Sequence, residues 1–74
     1  MNKFDSILDG MNFVDREDSV GGYNYYGFVR HNGEWVIMRL KTDETELRFA
    51  MGGTGYTTAW TNKTTQTYGY GIKA

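Results

Sequence analysis

The chain has 74 residues, with eight Lys and Arg against nine Asp and Glu, so its net charge is close to zero. A chain of this length can bury only about 60% of the surface that its unfolded form exposes, which limits it to one small domain of marginal stability. It contains no Cys and a single His, which excludes disulfides and Cys- or His-rich metal sites as a source of extra stability. The chain must therefore gain any extra stability from oligomerisation or from binding to a larger assembly.

The first residues have the spacing of an amphipathic helix. Apolar side chains recur at i, i+3, i+4 and i+7, at positions Phe4, Ile7, Leu8 and Met11. This spacing predicts a short helix over residues 1–12, which is too short to be stable alone. Its apolar face must therefore pack either against the β core of its own chain or against a neighbouring subunit.

A polar segment follows this helix. Residues 13–22 contain the run Asp15-Arg16-Glu17-Asp18-Ser19 and end in Gly21-Gly22. A polar run followed by two glycines is typical of a flexible connection, so we predict a linker over this segment.

Residues 23–41 predict a β-hairpin. Two runs rich in aromatic and β-branched residues flank the pair Asn32-Gly33, which favours a type I′ turn. In the second run, Trp35, Ile37 and Arg39 share one face, and Val36, Met38 and Leu40 share the other. Because five of these six residues are apolar, we expect both faces of the sheet to be at least partly covered.

The rest of the chain predicts one clear strand and one uncertain segment. In the third strand, Leu47, Phe49 and Met51 alternate with other residues and are expected to face the core. Residues 54–63 fit either a strand or a turn, including a single helical turn that carries Trp60 into the core. Residues 64–72 alternate as a closing strand would.

Together these elements predict a mostly β fold. We expect a small antiparallel meander of four to five strands, or a barrel-like sheet curled by its glycines, with a short N-terminal helix. The expected organisation is a helix over residues 1–12, a linker over residues 13–22 and a small β domain over residues 23–74.

Residues able to perform catalysis or to bind a metal are few. His31 is the only side chain with an ordinary pKa near neutrality, and it lies beside a predicted hairpin turn, where side chains are usually solvated. Asp15, Glu17 and Asp18 lack the following Gly and Glu of a calcium loop. We therefore expect no catalytic residue, no metal site and no cofactor.

The aromatic residues allow a second interpretation. Tyr23, Tyr25 and Phe28, with Arg30, could form a platform that stacks the bases of single-stranded nucleic acid. The net charge of -1 and the pI of about 5.7 oppose this, because phosphate binding requires a basic surface. The simpler interpretation is that the aromatic residues fill a small core.

Three stretches of the sequence form a recognisable pattern. They are Tyr25-Tyr26-Gly27, Trp35-Val36-Ile37-Met38-Arg39-Leu40, and Trp60-Thr61-Asn62-Lys63 followed by Thr67-Tyr68. In this order they resemble a group of small tailed-bacteriophage proteins with Tyr-x-Gly, Trp-x-Ile-x-Arg/Lys-Ile/Leu and Trp-x-Asn-Arg elements and a final Thr-Tyr. The resemblance covers residues 25–68, with Lys63 in place of Arg and Gln66 in place of an apolar residue. It implies a component of a phage particle.

The last stretch also has a physical interpretation. A tight turn near Asn62 and Lys63 would return Trp60 and Tyr68 to the same end of the sheet, with Asn62 bonded to the backbone. Lys63 would then pair with an acid or lie over the ring of Trp60. These residues and Trp35 serve either as core or as contacts to a partner subunit.

The sequence therefore predicts a non-enzymatic structural subunit of a virion. It would act as a capsid decoration, a head-tail adaptor or a tail-fibre adaptor, as a homo-oligomer or in many copies, through contacts with other virion proteins. Two alternatives remain open: a single-stranded nucleic-acid-binding module, and a phage-encoded regulator or inhibitor of a host protein. No apolar run reaches the ~20 residues of a membrane span, so we expect synthesis in the host cytoplasm and no membrane partner.

Overall fold

The structure, a computed structural model, describes residues 10–69. It contains four β-strands, one short α-helix and one 3₁₀ turn. In chain order these are β1 (Met11–Val20), β2 (Tyr23–Arg30), β3 (Trp35–Lys41), β4 (Leu47–Gly52), α1 (Tyr56–Thr61) and the 3₁₀ turn Lys63–Thr65. Within the described residues, no helix is long and apolar enough to cross a membrane.

The strands form one antiparallel meander. Their order in the sheet is β1-β2-β3-β4, so each strand pairs with its neighbour along the chain. The two central strands, β2 and β3, are rich in aromatic and β-branched residues, which suit a pleated surface that is covered by other side chains. The prediction of a mostly β fold with a four-stranded antiparallel meander is confirmed.

The predicted barrel-like closure is wrong. Strands β1 and β4 are the two edges of an open sheet, and within residues 10–69 they do not pair with each other. In place of a closing strand over residues 64–72, the structure has the 3₁₀ turn and one bridge, in which Phe49 and Gly69 exchange backbone hydrogen bonds of 2.7 and 2.9 Å. Residues 70–72 lie outside the described part of the chain. Phe49 on the β4 edge bonds its outward backbone groups to Gly69, so these groups do not pair with β1.

The predicted linker over residues 13–22 is also wrong, because most of it belongs to β1. This strand pairs with β2 along its length, with irregularities between Phe13 and Asp15 and between Glu17 and Val20. The polar residues that predicted flexibility are held by partners far along the chain. Asp15 accepts a hydrogen bond from Tyr56, and Glu17 pairs with Lys63. The β domain consequently includes residues 11–20, which the prediction had placed before it.

The predicted N-terminal helix lies mostly outside the described residues. Residues 1–9 are not described, and Met11 and Asn12 lie in β1, so the helix does not extend to residue 12. The helix that the structure does describe, α1, follows the strands. It replaces the uncertain segment at residues 54–63 and corresponds to the helical turn that was one of the two possibilities for it.

The hairpin between β2 and β3 is confirmed, but its turn is not of type I′. The carbonyl of Arg30 accepts a hydrogen bond from the Gly33 amide at 2.9 Å, and the Arg30 amide donates to the Glu34 carbonyl at 2.8 Å. Only Gly33 of this loop has a positive φ, at 96°. A type I′ turn needs positive φ at both central residues, whereas a three-residue loop with a bulge needs it at one. The side-chain oxygen of Asn32 instead accepts a hydrogen bond from the Glu34 amide at 3.1 Å.

One face of the sheet carries the hydrophobic core, and we call it the core face. Its buried cluster comprises Tyr25, Trp35, Ile37 and Ala50 from the sheet and Ala59 from α1. Helix α1 begins after Gly55, whose φ of 82° lets the chain turn from the sheet onto this face. Gly27 in β2 leaves the space that the ring of Tyr56 occupies, since a Cβ at residue 27 would overlap the Tyr56 hydroxyl.

This packing makes Gly27 sensitive to enlargement. We expect Gly27→Ala to lower the free energy of unfolding by about 1–3 kcal/mol, because the added methyl displaces Tyr56 from Asp15. Gly53→Ala is the matched control, since a Cβ at residue 53 meets nothing within 4 Å. Urea denaturation of both variants measures the difference. Equal stability of the two variants would contradict the packing of α1 on β2.

Candidate functional site

The two faces of the sheet differ in what covers them. Directly opposed residues in antiparallel strands lie on the same face, so the register assigns every side chain to one of two surfaces. The core face lies beneath α1 and the 3₁₀ turn. The opposite face, which we call the open face, is not covered by any described helix or turn. Both faces are therefore candidates for function, and for different reasons.

The open face is largely apolar. Three rows of side chains cross its strands: Phe13–Phe28–Val36–Met51, Arg16–Tyr26–Met38–Phe49, and Asn24–Leu40–Leu47. Met11 and Arg30 form a further pair on this face. In the first row the rings of Phe13 and Phe28 pack with their centroids 5.5 Å apart. An apolar row that crosses all four strands is typical of a sheet face that another layer covers.

Exposure along the first row is highest at its two ends. Phe13 on β1 is 57% exposed and Met51 on β4 is 44% exposed, whereas Val36 between them is 2% exposed. Val14, at the β1 irregularity beside Phe13, is also exposed. The register assigns Val14 to neither face, so we call Phe13 and Met51 alone the apolar rim. Large exposed apolar side chains on the same surface are a feature of sites that bind other proteins.

The expectation that Leu47, Phe49 and Met51 would face the core is wrong in part. They share one face as predicted, but it is the open face, and Met51 is exposed. The β4 residue that enters the core cluster is Ala50, which stands opposite Ile37 on β3. The alternation of β4 is correct, and the assignment of its inner face fails because both faces of the sheet are apolar.

On the core face, Lys63 is the centre of a cation–aromatic cluster. Its ammonium lies 2.5 Å from Glu17 on β1 and 4.6 Å from the centre of the Trp60 ring. The two predicted arrangements, an ion pair with an acid and a position over the Trp60 ring, therefore occur together. The Lys63 ammonium also lies 5.9 Å from the Tyr25 ring. A cation buried to 9% exposure is stabilised here by one carboxylate and by the negative faces of aromatic rings.

Arg39 extends this cluster along the sheet. Its guanidinium carbon lies 4.3 Å from the centre of the Tyr23 ring and 4.4 Å from that of the Tyr68 ring, so two rings enclose it. The Tyr68 ring also packs edge-on against Tyr25 at 6.0 Å, and its hydroxyl donates a hydrogen bond to the Lys63 carbonyl at 2.7 Å. The chain after α1 is thereby attached to the sheet through Tyr68.

The motif from residue 60 to residue 68 forms the predicted turn. Asn62 donates from its side chain to the Thr58 carbonyl at 3.1 Å, and the Thr65 amide donates to the Asn62 carbonyl at 3.0 Å. Trp60 and Tyr68 consequently return to the core face, one from α1 and one from the segment after the 3₁₀ turn. Trp35 packs over Gly52 and donates to the Thr54 carbonyl at 3.0 Å. The geometry of these residues is that of a framework, and their contact with a partner stays a prediction.

The residues of the predicted nucleic-acid platform do not share a surface. Tyr23 and Tyr25 stand on the core face, whereas Phe28 and Arg30 stand on the open face. Tyr25 is 2% exposed, so no base can stack on its ring. Tyr23 already packs against the guanidinium of Arg39.

Sequence reasoning missed several residues of these two surfaces. Phe13, Val14, Asp15 and Glu17 were all assigned to the predicted linker over residues 13–22. One available signal was the alternation of Asp15 and Glu17, which places both acids on one face of a strand. Among the described residues, no group of three His, Cys, Asp or Glu side chains could hold a metal ion, and His31 lies exposed in the hairpin loop.

Helix α1 is fixed to β1 by a hydrogen bond of 2.7 Å from the Tyr56 hydroxyl to Asp15. Burial raises the pKa of the Tyr56 phenol above its ordinary value of 10.0, and the Asp15 carboxylate, which accepts a hydrogen bond from the hydroxyl, raises it further. Burial likewise raises the pKa of Tyr68, while the nearby Arg39 acts in the opposite direction. Both phenols are therefore held in their neutral form in the folded chain.

The ion pair between buried Lys63 and half-exposed Glu17 predicts unequal effects of substitution. We expect Lys63→Met to lower the free energy of unfolding by about 1–3 kcal/mol, because it removes the pair with Glu17 and the contact with the Trp60 ring. The coupling between Lys63→Met and Glu17→Gln in a double-mutant cycle should be about 0.5–1 kcal/mol, since the Glu17 side chain is half exposed. Asp18→Asn, in the exposed pair with Arg16, is the control and should stay within about 0.5 kcal/mol. A coupling of zero would contradict a stabilising contact between Lys63 and Glu17.

The raised phenol pKa predicts a loss of stability at alkaline pH. A group whose folded pKa exceeds its unfolded pKa stabilises the fold fully below the unfolded value, and this contribution disappears as the pH rises through the folded value. For Tyr56 the loss begins near its ordinary pKa of 10.0. Chemical denaturation between pH 8 and pH 12, about two units to either side of that pKa, should show a steeper decline for the unmodified chain than for Tyr56→Phe. Identical pH profiles would argue against the Tyr56–Asp15 contact.

Comparison of the chain with protein-family models, with curated proteins and with solved structures finds no match in any of the three. The surfaces described above are therefore interpreted from their own geometry. The resemblance of residues 25–68 to small phage proteins stays a prediction.

Proposed function

We propose that this chain is a non-enzymatic structural subunit of a bacteriophage particle and that it binds other virion proteins through the apolar rim. The observation that carries this proposal is the first row of the open face, which crosses the whole sheet and is exposed at both ends. The exposed side chains are a Phe and a Met, two residue types that are enriched at protein interfaces.

The edges of the sheet also support binding through a face. An edge strand with free backbone groups can add further strands, but irregularities and charged residues prevent this. Strand β1 has two register shifts and carries Arg16, Glu17 and Asp18 along its exposed length. On β4, the backbone of Phe49 is already bonded to Gly69. Assembly through the open face is therefore favoured over extension of the sheet.

The size of the chain supports a role within a larger assembly. It has no Cys to form a disulfide, and the buried core cluster of residues 10–69 has five members. Binding to a partner that recognises only the folded state stabilises a marginal domain by mass action. Placement in a phage particle rests on the resemblance of residues 25–68, whose motif residues Trp60, Lys63 and Tyr68 hold the core face together and leave the open face to a partner.

The first test is mass spectrometry of purified particles from the phage that encodes this chain. The proposal predicts that the chain is present at a fixed number of copies per particle. A regulator of a host protein or a nucleic-acid-binding module would be absent from the particles. The absence of this chain from the particles would therefore overturn the proposal.

The second test concerns the apolar rim. We expect the double variant Phe13→Ser and Met51→Ser to fold but to enter particles at least about tenfold less, a loss that corresponds to about 1.4 kcal/mol of binding. Asn12→Ser is the matched control, because it changes an exposed neighbour that pairs with Val29 on the core face. Quantitative mass spectrometry of particles measures incorporation, and circular dichroism confirms folding. Equal incorporation of both variants would show that the rim makes no contact.

A further inference from the structure

Arg39 on β3 is a cation of the core face that has no acidic partner among the described residues. On the same face, the ammonium of Lys63 pairs with Glu17. Arg48 pairs with Glu46. No described Asp or Glu pairs with Arg39, although its side chain is only partly exposed. The charge of Arg39 is therefore not balanced within the described part of the fold.

The surroundings of Arg39 leave only the end of its guanidinium open. The rings of Tyr23 and Tyr68 lie 4.3 and 4.4 Å from the guanidinium carbon and cover its two faces. The Nε atom is inaccessible to solvent and has no hydrogen-bond partner. The terminal nitrogens, Nη1 and Nη2, also have no hydrogen-bond partner among the described residues, but they are accessible to solvent. An acceptor from solution can therefore reach this side chain through its terminal edge.

We propose that the terminal edge of Arg39 binds the carboxylate group of a small molecule. The two terminal nitrogens of a guanidinium donate parallel hydrogen bonds to the two oxygens of a carboxylate. The rings of Tyr23 and Tyr68 hold the guanidinium plane in one orientation, so little side-chain freedom is lost when an anion binds. This inference concerns the isolated chain and does not depend on the proposed function.

The residue opposite Arg39 also favours an anion at this site. Arg39 stands directly across from Arg48 on β4. Like charges that face each other on one side of an antiparallel pair destabilise the sheet. A bound carboxylate reduces this repulsion and so stabilises the folded chain.

Two features favour a small, singly charged ligand. One unpaired guanidinium balances one negative charge, and the net charge of -1 opposes nucleic acid, which requires a basic surface. The described surface beside Arg39 carries the ion pair of Arg48 and Glu46, whereas protein partners are anchored mainly by apolar and aromatic side chains. A small carboxylate fits this site better than a nucleic acid or a protein surface.

Titration of the full chain with sodium acetate tests the proposal by nuclear magnetic resonance near neutral pH. The Nε–Hε signal of Arg39 is observable because its nitrogen is shielded from solvent. We expect this signal to shift and to saturate, with half of the change at about 1–10 mM acetate. Sodium chloride at the same ionic strength is the control and should give no saturating shift. Equal shifts in the two salts, or tighter binding of inorganic phosphate or of an oligonucleotide, would overturn the proposal.

Two variants distinguish paired hydrogen bonds from general positive charge. Arg39→Lys keeps the charge but loses the planar pair of donors. Lys41→Gln removes an exposed cation from the same face and is the matched control. Because a ligand of the folded state raises the melting temperature, the rise from about 0.1 M sodium chloride to about 0.1 M sodium acetate measures binding in each variant.

We expect a rise of at least about 5 °C in the unmodified chain and in Lys41→Gln, and less than half of that rise in Arg39→Lys. An equal rise in Arg39→Lys and in the unmodified chain would contradict the proposal. A loss of the rise in Lys41→Gln alone would assign the effect to net charge and would also contradict it.

Discussion

The structure depends on one geometric constraint, which is that the one α-helix of residues 10–69 is short and covers only one face of the four-stranded sheet. Side chains alternate between the faces of a strand, so every apolar residue of β3 on the core face has an apolar neighbour on the open face. Helix α1, with six residues, covers the core face alone. The open face therefore needs either another segment of the chain or a partner, and this need connects the fold to the proposed function.

The core face is stabilised in an unusual way for so small a domain. Cations take positions that aliphatic side chains would otherwise fill, with Arg39 between two Tyr rings and Lys63 between a carboxylate and a Trp ring. Such contacts contribute about 0.5–2 kcal/mol each where the cation is withdrawn from water. They also fix geometry, because Lys63, Glu17 and Tyr68 join β1, the 3₁₀ turn and the C-terminal segment to the same surface.

Local patterns in the sequence predicted the local structure well. The hairpin of β2 and β3, the two faces of β3 and the turn at Asn62 each depend on residues close together in the chain. Apart from the type of the hairpin turn, the features that were wrong depend on distant contacts. Asp15 and Glu17 predict a linker until their partners are known, and Tyr56, the partner of Asp15, is 41 residues away.

One error in the candidate site could have been avoided from the sequence, and another could not. The nucleic-acid platform grouped Tyr25 with Phe28, although a separation of three residues in a strand places two side chains on opposite faces. The choice of a core side for Leu47, Phe49 and Met51 could not be made from alternation, because apolar residues occupy both faces. Only the position of α1 distinguishes the core face from the open face.

The central claim is that the core face stabilises the chain and the open face carries its contacts with other proteins. Hydroxyl-radical footprinting of the isolated chain and of assembled particles tests this most directly. The claim predicts that Phe13 and Met51 lose reactivity on assembly, while Trp60 and Tyr68 on the core face react equally in both states. Protection confined to the core face, or equal labelling of Phe13 and Met51 in both states, would contradict it.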